Sequence, residues 1–335
     1  MRLTARGRAA ARSVPIAVLA VLFTLVGSLP APVAAAADGS SQAWSVQPTD
    51  KGSGTGRRLA FQLDAVPGSV IRDSVRISNL STEPISFQVY GADAYNTPRD
   101  GGLAYRQAGE AQHDIGEWVK LRTNALVIPK RRAADIPFTI TVPEDATPGT
   151  HVGGVIALDN ALRGAGATDS GVDVSIQRAI AVRLELTVSG PLTPGLSVSK
   201  VRLDHAPGDA PFESGTTTVH YTVTNTGNTP VQGKAAIEVT GLFGRTVGGR
   251  TKSLPLILPG QHTELSLDTG RSPPFDFLTA KVTVSATGTP ATTARVHRLA
   301  LSWTTLAVVA VIAALVAVGL SQLRRRRRTL ALEHA

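Results

Sequence analysis

The chain has 335 residues, a net charge of +9 and no cysteine. Its length corresponds to about two ordinary domains with accessory segments, and without cysteine it has no disulfides, thiolate metal sites or cysteine nucleophiles. Nine of the 34 Lys and Arg residues but only one of the 25 acidic residues lie at the two ends, so the stretch between carries 25 basic and 24 acidic residues. This balance argues against nucleic-acid binding, because no basic patch remains to follow a phosphate backbone.

Residues 1–37 are typical of a secretory signal peptide. Four arginines precede an apolar run from Val14 to Leu29, and the small residues that follow predict cleavage after Ala36 or Ala37. The alternative is an uncleaved membrane anchor. We expect the mature chain to leave the cytoplasm.

A first globular unit is predicted over residues 43–190. Apolar residues alternate with polar ones in several short runs, which is typical of half-buried strands. The clearest run holds every second position from Ile180 to Val188, and shorter runs cover Phe61 to Ala65, Ser74 to Asn79, Ile85 to Tyr90 and Pro137 to Val142. Many short strands separated by turn residues predict an antiparallel, immunoglobulin-like β-sandwich.

A second unit over residues 191–288 repeats features of the first. Pro230 follows Asn225 by five residues, as Pro84 follows Asn79. The segment ILPGQ at 257–261 also corresponds to VIPKR at 127–131. We therefore predict an all-β protein with two immunoglobulin-like sandwiches in tandem.

The remaining residues predict a membrane anchor. Residues 289–298 are interpreted as a linker, 299–323 as one transmembrane helix and 324–335 as a basic cytoplasmic tail. Trp303 is expected at the outer interface, and Arg324 to Arg328 should keep the tail inside. The protein is thus predicted to be a single-pass cell-membrane protein with its amino terminus outside.

The two units differ in a long polar stretch from Gly91 to Glu117, which only the first contains. Loops of this length are usually functional or mobile, and this stretch holds or adjoins much of the chain's small aromatic content. Rings beside polar groups suit glycan recognition. The candidate ligand-binding residues are Tyr95, Tyr105, Trp118, Asp93 and Arg99. The alternative is that Trp118 and Tyr90 belong to the core.

No catalytic arrangement is apparent in the sequence. The seven histidines lack metal-motif spacing. Glu110, Asp114 and Glu117 could form a glycosidase carboxylate pair, and Asp93 with Asp100 could bind calcium, but solvated surface charge is the favoured interpretation of both groups. We predict no enzymatic activity, no metal and no cofactor.

The first unit resembles the peptidoglycan-binding domain of the WxL-interacting-protein family of Gram-positive surface proteins. The matching segments are 66–94, 116–121 and 136–158. This resemblance implies binding of peptidoglycan or a wall glycan, and for the second unit attachment to a host or partner surface. It supplies no ligand residues. The Ala- and Arg-rich composition is typical of a high-GC actinobacterium.

We therefore expect a non-enzymatic, membrane-anchored protein that binds peptidoglycan or a wall-associated polymer through its first sandwich. The alternative is an adhesin or scaffold that binds another surface or host protein through its immunoglobulin-like domains. Neither possibility involves nucleic acid.

Overall fold

The computed structural model of the protein describes residues 43–50, 58–167 and 173–332. The predicted signal peptide, the GSGTG stretch at 52–56 and the end of the predicted tail lie outside these ranges. Within them the regular secondary structure is mainly β-strand, and one long helix follows the last strand. The all-β, two-sandwich prediction is confirmed.

The first sandwich packs two sheets face to face. Their strands are β1 (Trp44–Pro48), β2 (Phe61–Ala65), β3 (Val70–Asn79), β4 (Ile85–Asn96), β5 (Leu103–Tyr105), β6 (Val119–Leu121), β7 (Ala125–Ile128), β8 (Ala133–Thr141), β9 (Gly149–Asp159) and β12 (Ala179–Val188), and a short helical turn α1 (Ile115–Trp118) precedes β6. One sheet has the order β1-β3-β8-β6 and the other β2-β12-β9-β4, with β5 and β7 both paired to β4. All of these pairings are antiparallel except that of β12 with β2.

The alternating residues of these strands form the core, as the sequence predicts. Val182, Leu184, Leu186 and Val188 are all buried, and Ile180 packs against them at the margin. Two further strands, β10 (Arg163–Ala167) and β11 (Asp173–Ile176), form a separate hairpin.

The strands of the second sandwich are β13 (Leu196–Ala206), β14 (Gly215–Asn225), β15 (Gly233–Thr240), β16 (Thr246–Ser253), β17 (His262–Ser272), β18 (Phe275–Ala286) and β19 (Thr292–Leu301). They form two sheets, in the orders β13-β14-β17 and β16-β15-β18-β19. The core contains the alternating residues of β14, β15 and β18, among them the fully buried Ile237 and Val282.

The internal duplication is visible in atomic detail at one buried asparagine of each sandwich. Asn79 Nδ2 donates to the carbonyls of Glu83 and Ile128, at 2.7 and 3.0 Å, and its Oδ1 accepts from the backbone N–H of Ser81. Asn225 makes the equivalent bonds to the carbonyls of Thr229 and Ile257, both 2.8 Å, and to the N–H of Gly227. Each asparagine closes its own turn and ties it to a distant loop.

These bonds correct the sequence alignment of the two copies by one position. Ile128 corresponds to Ile257, and the residues with left-handed backbone, Arg131 (φ 55°) and Gly260 (φ 69°), then coincide. The turns agree, because the N–H of Arg132 bonds to Pro129 O and that of Gln261 to Leu258 O. Aligning Pro129 with Pro259 is misleading, because the two copies share the backbone conformation of this turn but not the position of the proline within it.

The structure also corrects the boundaries of the polar stretch Gly91 to Glu117. Residues 91–96 continue strand β4, and β5 returns along it as a hairpin. Strand β4 pairs with β9 as far as Asp93 and with β5 from Ala94 to Asn96. The segment is therefore an extension of the sheet followed by a loop, rather than one long loop.

The predicted linker is wrong. Residues 292–301 form β19, which pairs with β18 over its whole length, so the second sandwich extends to residue 301 instead of 288. Helix α2 (Trp303–Leu332) follows after the single residue Ser302. Its segment Trp303–Arg324 is long and apolar enough to cross a membrane, and an 18-residue window within it has a mean hydropathy of 2.5.

Candidate functional site between the two sandwiches

The β4–β5 hairpin joins the first sandwich to the second. Asn96 is buried, donates through Nδ2 to Leu256 O at 2.7 Å and accepts at Oδ1 from the N–H of Leu258 at 2.8 Å. Pro98 O accepts from the N–H of Glu264 at 2.6 Å. At the hairpin tip, Gly101 has φ +73° and lies so close to Pro255 that a Cβ would overlap the proline ring. The polar insertion is thus a contact element between the domains.

Asn228, in the TNTGNTP turn of the second sandwich, makes a second set of contacts between the domains. Its Nδ2 donates to the carbonyls of Pro148 and Pro191, at 2.9 and 2.8 Å. Its own carbonyl accepts from the N–H of Thr150 at 2.8 Å. Gly149 (φ +134°) leaves no room for a Cβ against this asparagine. Hydrogen bonds at two separate places therefore fix the sandwiches relative to each other.

A polar cleft of about 400 Å³ lies between these two contacts. Residues from both sandwiches line it. The first sandwich contributes Asp93, Tyr95, Arg106, His113, Asp114 and His151, and the second contributes Asn228, Leu258, Pro259 and Gln261. Binding sites commonly occur at such domain interfaces.

Asp93 organises one wall of the cleft. Its carboxylate is buried and accepts from the backbone N–H groups of His113, Asp114 and Gly116, at 2.6, 3.2 and 2.7 Å. The Arg106 guanidinium lies 3.9 Å away. Because its oxygens are engaged by the backbone, Asp93 holds the chain before α1 in place.

His151 connects the cleft to the first core. Its Nδ1 lies 2.6 Å from Asp114 Oδ1, its Nε2 lies 2.9 Å from Thr147 O, and its ring packs 4.7 Å from the Trp118 ring. Burial alone would lower the pKa of His151, but the hydrogen bonds to Asp114 and Thr147 and the charge of Asp114 outweigh it, so the pKa is raised above its ordinary value. The imidazole therefore favours its charged form at this boundary.

The predicted ligand-binding residues do not meet at one site. Tyr95 and Asp93 both line the cleft. Trp118 is half-buried, packs against the first core and contacts the cleft only through His151.

Tyr105 and Arg99 face two other depressions. The Tyr105 ring covers Gly154 of β9 on the outer face of the sheet, beside Tyr90, and burial raises the pKa of both phenols. Arg99 is exposed and lies next to Lys200 and Arg202 of the second sandwich. The five residues are therefore divided among separate surfaces.

Sequence reasoning missed Asn96, Asn228 and His151. Asn96 bonds to a residue 160 positions away, and a single sequence carries no signal for contacts of that range. The sequence did mark Asn228 by its place in the repeated TNTGNTP turn, but it did not indicate which residues Asn228 would contact. His151 had none, since its partner Asp114 lies 37 positions away.

Within the described residues, no group of three or more His, Asp or Glu side chains is arranged to hold a metal ion. Two acidic side chains of the cleft are engaged within the protein: the Asp93 carboxylate accepts from backbone N–H groups, and the Asp114 carboxylate lies beside His151 Nδ1.

Comparison with known proteins gives no family. No family model matches the chain, and no curated protein matches it. Among solved structures, a chaperone–tip adhesin complex of CFA/I fimbriae is 13% identical over 77% of this chain and 98% of its own, with a TM-score of 0.34. The class 5 fimbriae chaperone CfaA is 11% identical over 77% and 100%, with a TM-score of 0.32.

The CsuC-CsuE chaperone–tip subunit complex of Acinetobacter baumannii is 12% identical over 70% of this chain and 93% of its own, with a TM-score of 0.34. Similarity at this level carries no argument about function.

Proposed function

We propose that the protein is a non-enzymatic, membrane-anchored scaffold whose cleft between the two sandwiches binds a segment of another surface protein. Helix α2 anchors the chain, and the sandwiches project from the outer side of the membrane. The observation that carries this proposal is the pair of interdomain contacts made by Asn96 and Asn228.

Fixed domains suit a scaffold because the two walls of the cleft keep one geometry before the partner arrives. Preorganisation of this kind lowers the entropic cost of binding. The cleft also mixes polar side chains, among them Arg106, His113 and Gln261, with the apolar Leu258 and Pro259. A polypeptide segment offers the matching acceptors, donors and apolar side chains.

The aromatic residues give less support to a glycan platform. Stacking on sugars needs exposed rings on one surface. Tyr90 and Tyr105 are half-buried on the outer sheet face, whereas Trp118 packs on the first core.

Peptidoglycan remains a second candidate ligand of the same cleft. Tyr95 lies there beside Arg106 and His113, so one ring and two polar side chains face the same space. The resemblance of residues 66–94, 116–121 and 136–158 to the WxL-interacting-protein family also favours this ligand.

Photo-crosslinking in intact cells distinguishes the two ligands. A photoreactive residue at Gln261 lies in the cleft, and one at Leu80, which is exposed elsewhere on the first sandwich, is the matched control. We expect one discrete protein adduct from position 261 and none from position 80. Heterogeneous material that a muramidase digests would instead identify the wall polymer as ligand. Equal labelling from both positions would contradict a cleft site altogether.

A further inference from the structure

The phenylalanines of the two sandwiches are distributed in opposite ways. Those of the first sandwich are in its core: Phe61, Phe87 and Phe138 are 0%, 0% and 2% exposed. Those of the second are all at the surface: Phe212, Phe243, Phe275 and Phe277 are 58%, 97%, 60% and 48% exposed. Burial of a phenylalanine stabilises a fold, so four exposed ones in a single domain require another explanation.

The four exposed rings lie at one end of the second sandwich, where α2 begins. Phe275 pairs with Leu301 and Phe277 with Leu299 on neighbouring strands. The N–H of Phe212 donates to Thr305 Oγ1 in the first turn of α2, at 3.0 Å. The neighbouring contacts place the helix directly against the sandwich, since the N–H of Ser302 bonds to Pro274 O at 2.9 Å.

Two of these phenylalanines are held at the tips of turns in left-handed backbone. Phe212 has φ 64° and Phe243 has φ 57°, which is costly for a bulky side chain. The turn of Phe243 is fixed by the buried Asp276, which accepts from the N–H of Leu242 at 2.9 Å and from Arg245 at 2.7 Å. The fold thus stabilises a strained loop that projects an apolar ring.

We propose that these residues form an apolar rim that inserts into the headgroup region of the bilayer around the start of α2. The rim consists of Phe212, Phe243, Phe275, Phe277, Leu299 and Trp303. This inference rests on the proposed membrane anchor and adds a second attachment to it: the sandwich lies on the lipid surface.

Lipid is the occupant that the position of the rim favours. Exposed apolar patches of this kind mark protein or membrane contacts, and this one surrounds the first residue of the only candidate membrane span in the described chain. Trp303, 75% exposed, stands at the level where aromatic residues collect in membrane proteins. Interfacial apolar groups penetrate roughly 5–10 Å into the boundary of headgroups and acyl chains. The side chains of the rim surround the first turn of α2, so they lie close enough to this boundary to enter it.

The absence of native cysteine allows a direct test with single fluorophores. The full chain is reconstituted into vesicles of phosphatidylcholine and phosphatidylglycerol, and an environment-sensitive dye is attached at Phe243→Cys or Phe275→Cys. Val127→Cys, 64% exposed on the first sandwich, is the distant control, and Leu315→Cys in α2 reports on the anchor itself. Lipids carrying a quencher near the headgroup or along the acyl chain are then added.

At positions 243 and 275 we expect blue-shifted emission and quenching by the headgroup quencher. At position 315 we expect quenching by the acyl-chain quencher. At position 127 we expect no quenching by either lipid and no blue shift. Quenching at 315 without quenching at 243 and 275 would overturn the rim and leave the anchor intact. Absence of quenching at 315 would overturn the anchor and the rim together. A blue shift at position 243 could also occur without quenching by either lipid. If that blue shift grew with the protein-to-lipid ratio, it would show that a second copy of the chain covers this surface.

Discussion

At the scale of single residues, the buried asparagines Asn79 and Asn225 explain why the same turn occurs twice. Each donates to two backbone carbonyls and accepts from one backbone N–H, in bonds that are buried or partly buried. Buried polar backbone groups need such partners. The repeated asparagine is therefore a structural residue, and its spacing to proline is a by-product of the turn that it closes.

Replacing Asn225 with alanine should destabilise the second sandwich by roughly 1–3 kcal/mol, because Thr229 O and the N–H of Gly227 lose their bonds to Asn225, whereas Ile257 O keeps its bond from the N–H of Val231. Urea titration of the full chain in detergent, followed by circular dichroism, measures the change. Asn124→Ala, at an exposed position, is the control and should unfold as the wild type does. Equal midpoints for the two variants would show that the asparagine is dispensable.

His151 predicts a pH dependence of stability. Its pKa is raised in the folded protein, so its contribution is complete below the ordinary value of 6.5 and is lost as pH rises through the raised pKa. The first sandwich should thus become less stable as pH rises from 6.5 through the raised pKa of His151.

His151→Gln should remove this pH dependence, and the exposed His113→Gln should retain it. His205 has a pKa lowered by burial and by the charge of Arg298, which changes stability in the opposite direction. The measured quantity is therefore the difference between wild type and His151→Gln at each pH. A difference that does not vary with pH would rule out the His151–Asp114 pair as its source.

At the scale of elements, the β4–β5 hairpin makes one of the two sets of contacts that hold the domains together. Gly101→Ala adds a Cβ that overlaps Pro255, whereas Gly109→Ala adds one at a similar positive φ with nothing within 4 Å. The pair therefore separates the loss of the interdomain contact from local backbone strain.

We expect Gly101→Ala to broaden the distance distribution between spin labels on Val127→Cys and Arg250→Cys, one on each sandwich, in a pulsed electron paramagnetic resonance experiment. Gly109→Ala should leave the distribution narrow. If Gly101→Ala also stays narrow, the contacts of Asn228 are sufficient to hold the domains.

Most strands could be predicted from the sequence because their alternation comes from one buried face, as in Val182 to Val188. The errors have physical causes. Strand β19 is an edge strand in which only Ala300 is buried, so its composition resembles a linker. Strand β4 loses its alternation after Gly91, where α1 packs against it.

The candidate site could be predicted only in part. Tyr95 and Asp93 were found because they lie in the insertion that the second unit lacks. The second wall of the cleft could not be predicted, because Asn228 and Gln261 are brought there by contacts between domains.

At the scale of the whole molecule, the proposed arrangement fixes which parts of the chain face the outside. Because there is no native cysteine, a single one reports its own side of the membrane. A membrane-impermeant maleimide should label Val127→Cys in intact cells and Glu333→Cys only after permeabilisation, as five arginines after the span predict. The opposite labelling pattern would reverse the orientation.

Only Ser302 separates β19 from α2, so no hinge lies between the second sandwich and the helix that we propose as its membrane anchor. Transmembrane helices tilt by about 20° on average and adjust this angle to bilayer thickness. Each change of tilt would therefore rotate both sandwiches together with the helix, about the point where the apolar rim contacts the membrane. The thickness of the membrane would then set the direction in which the cleft opens, and so which neighbours it can reach.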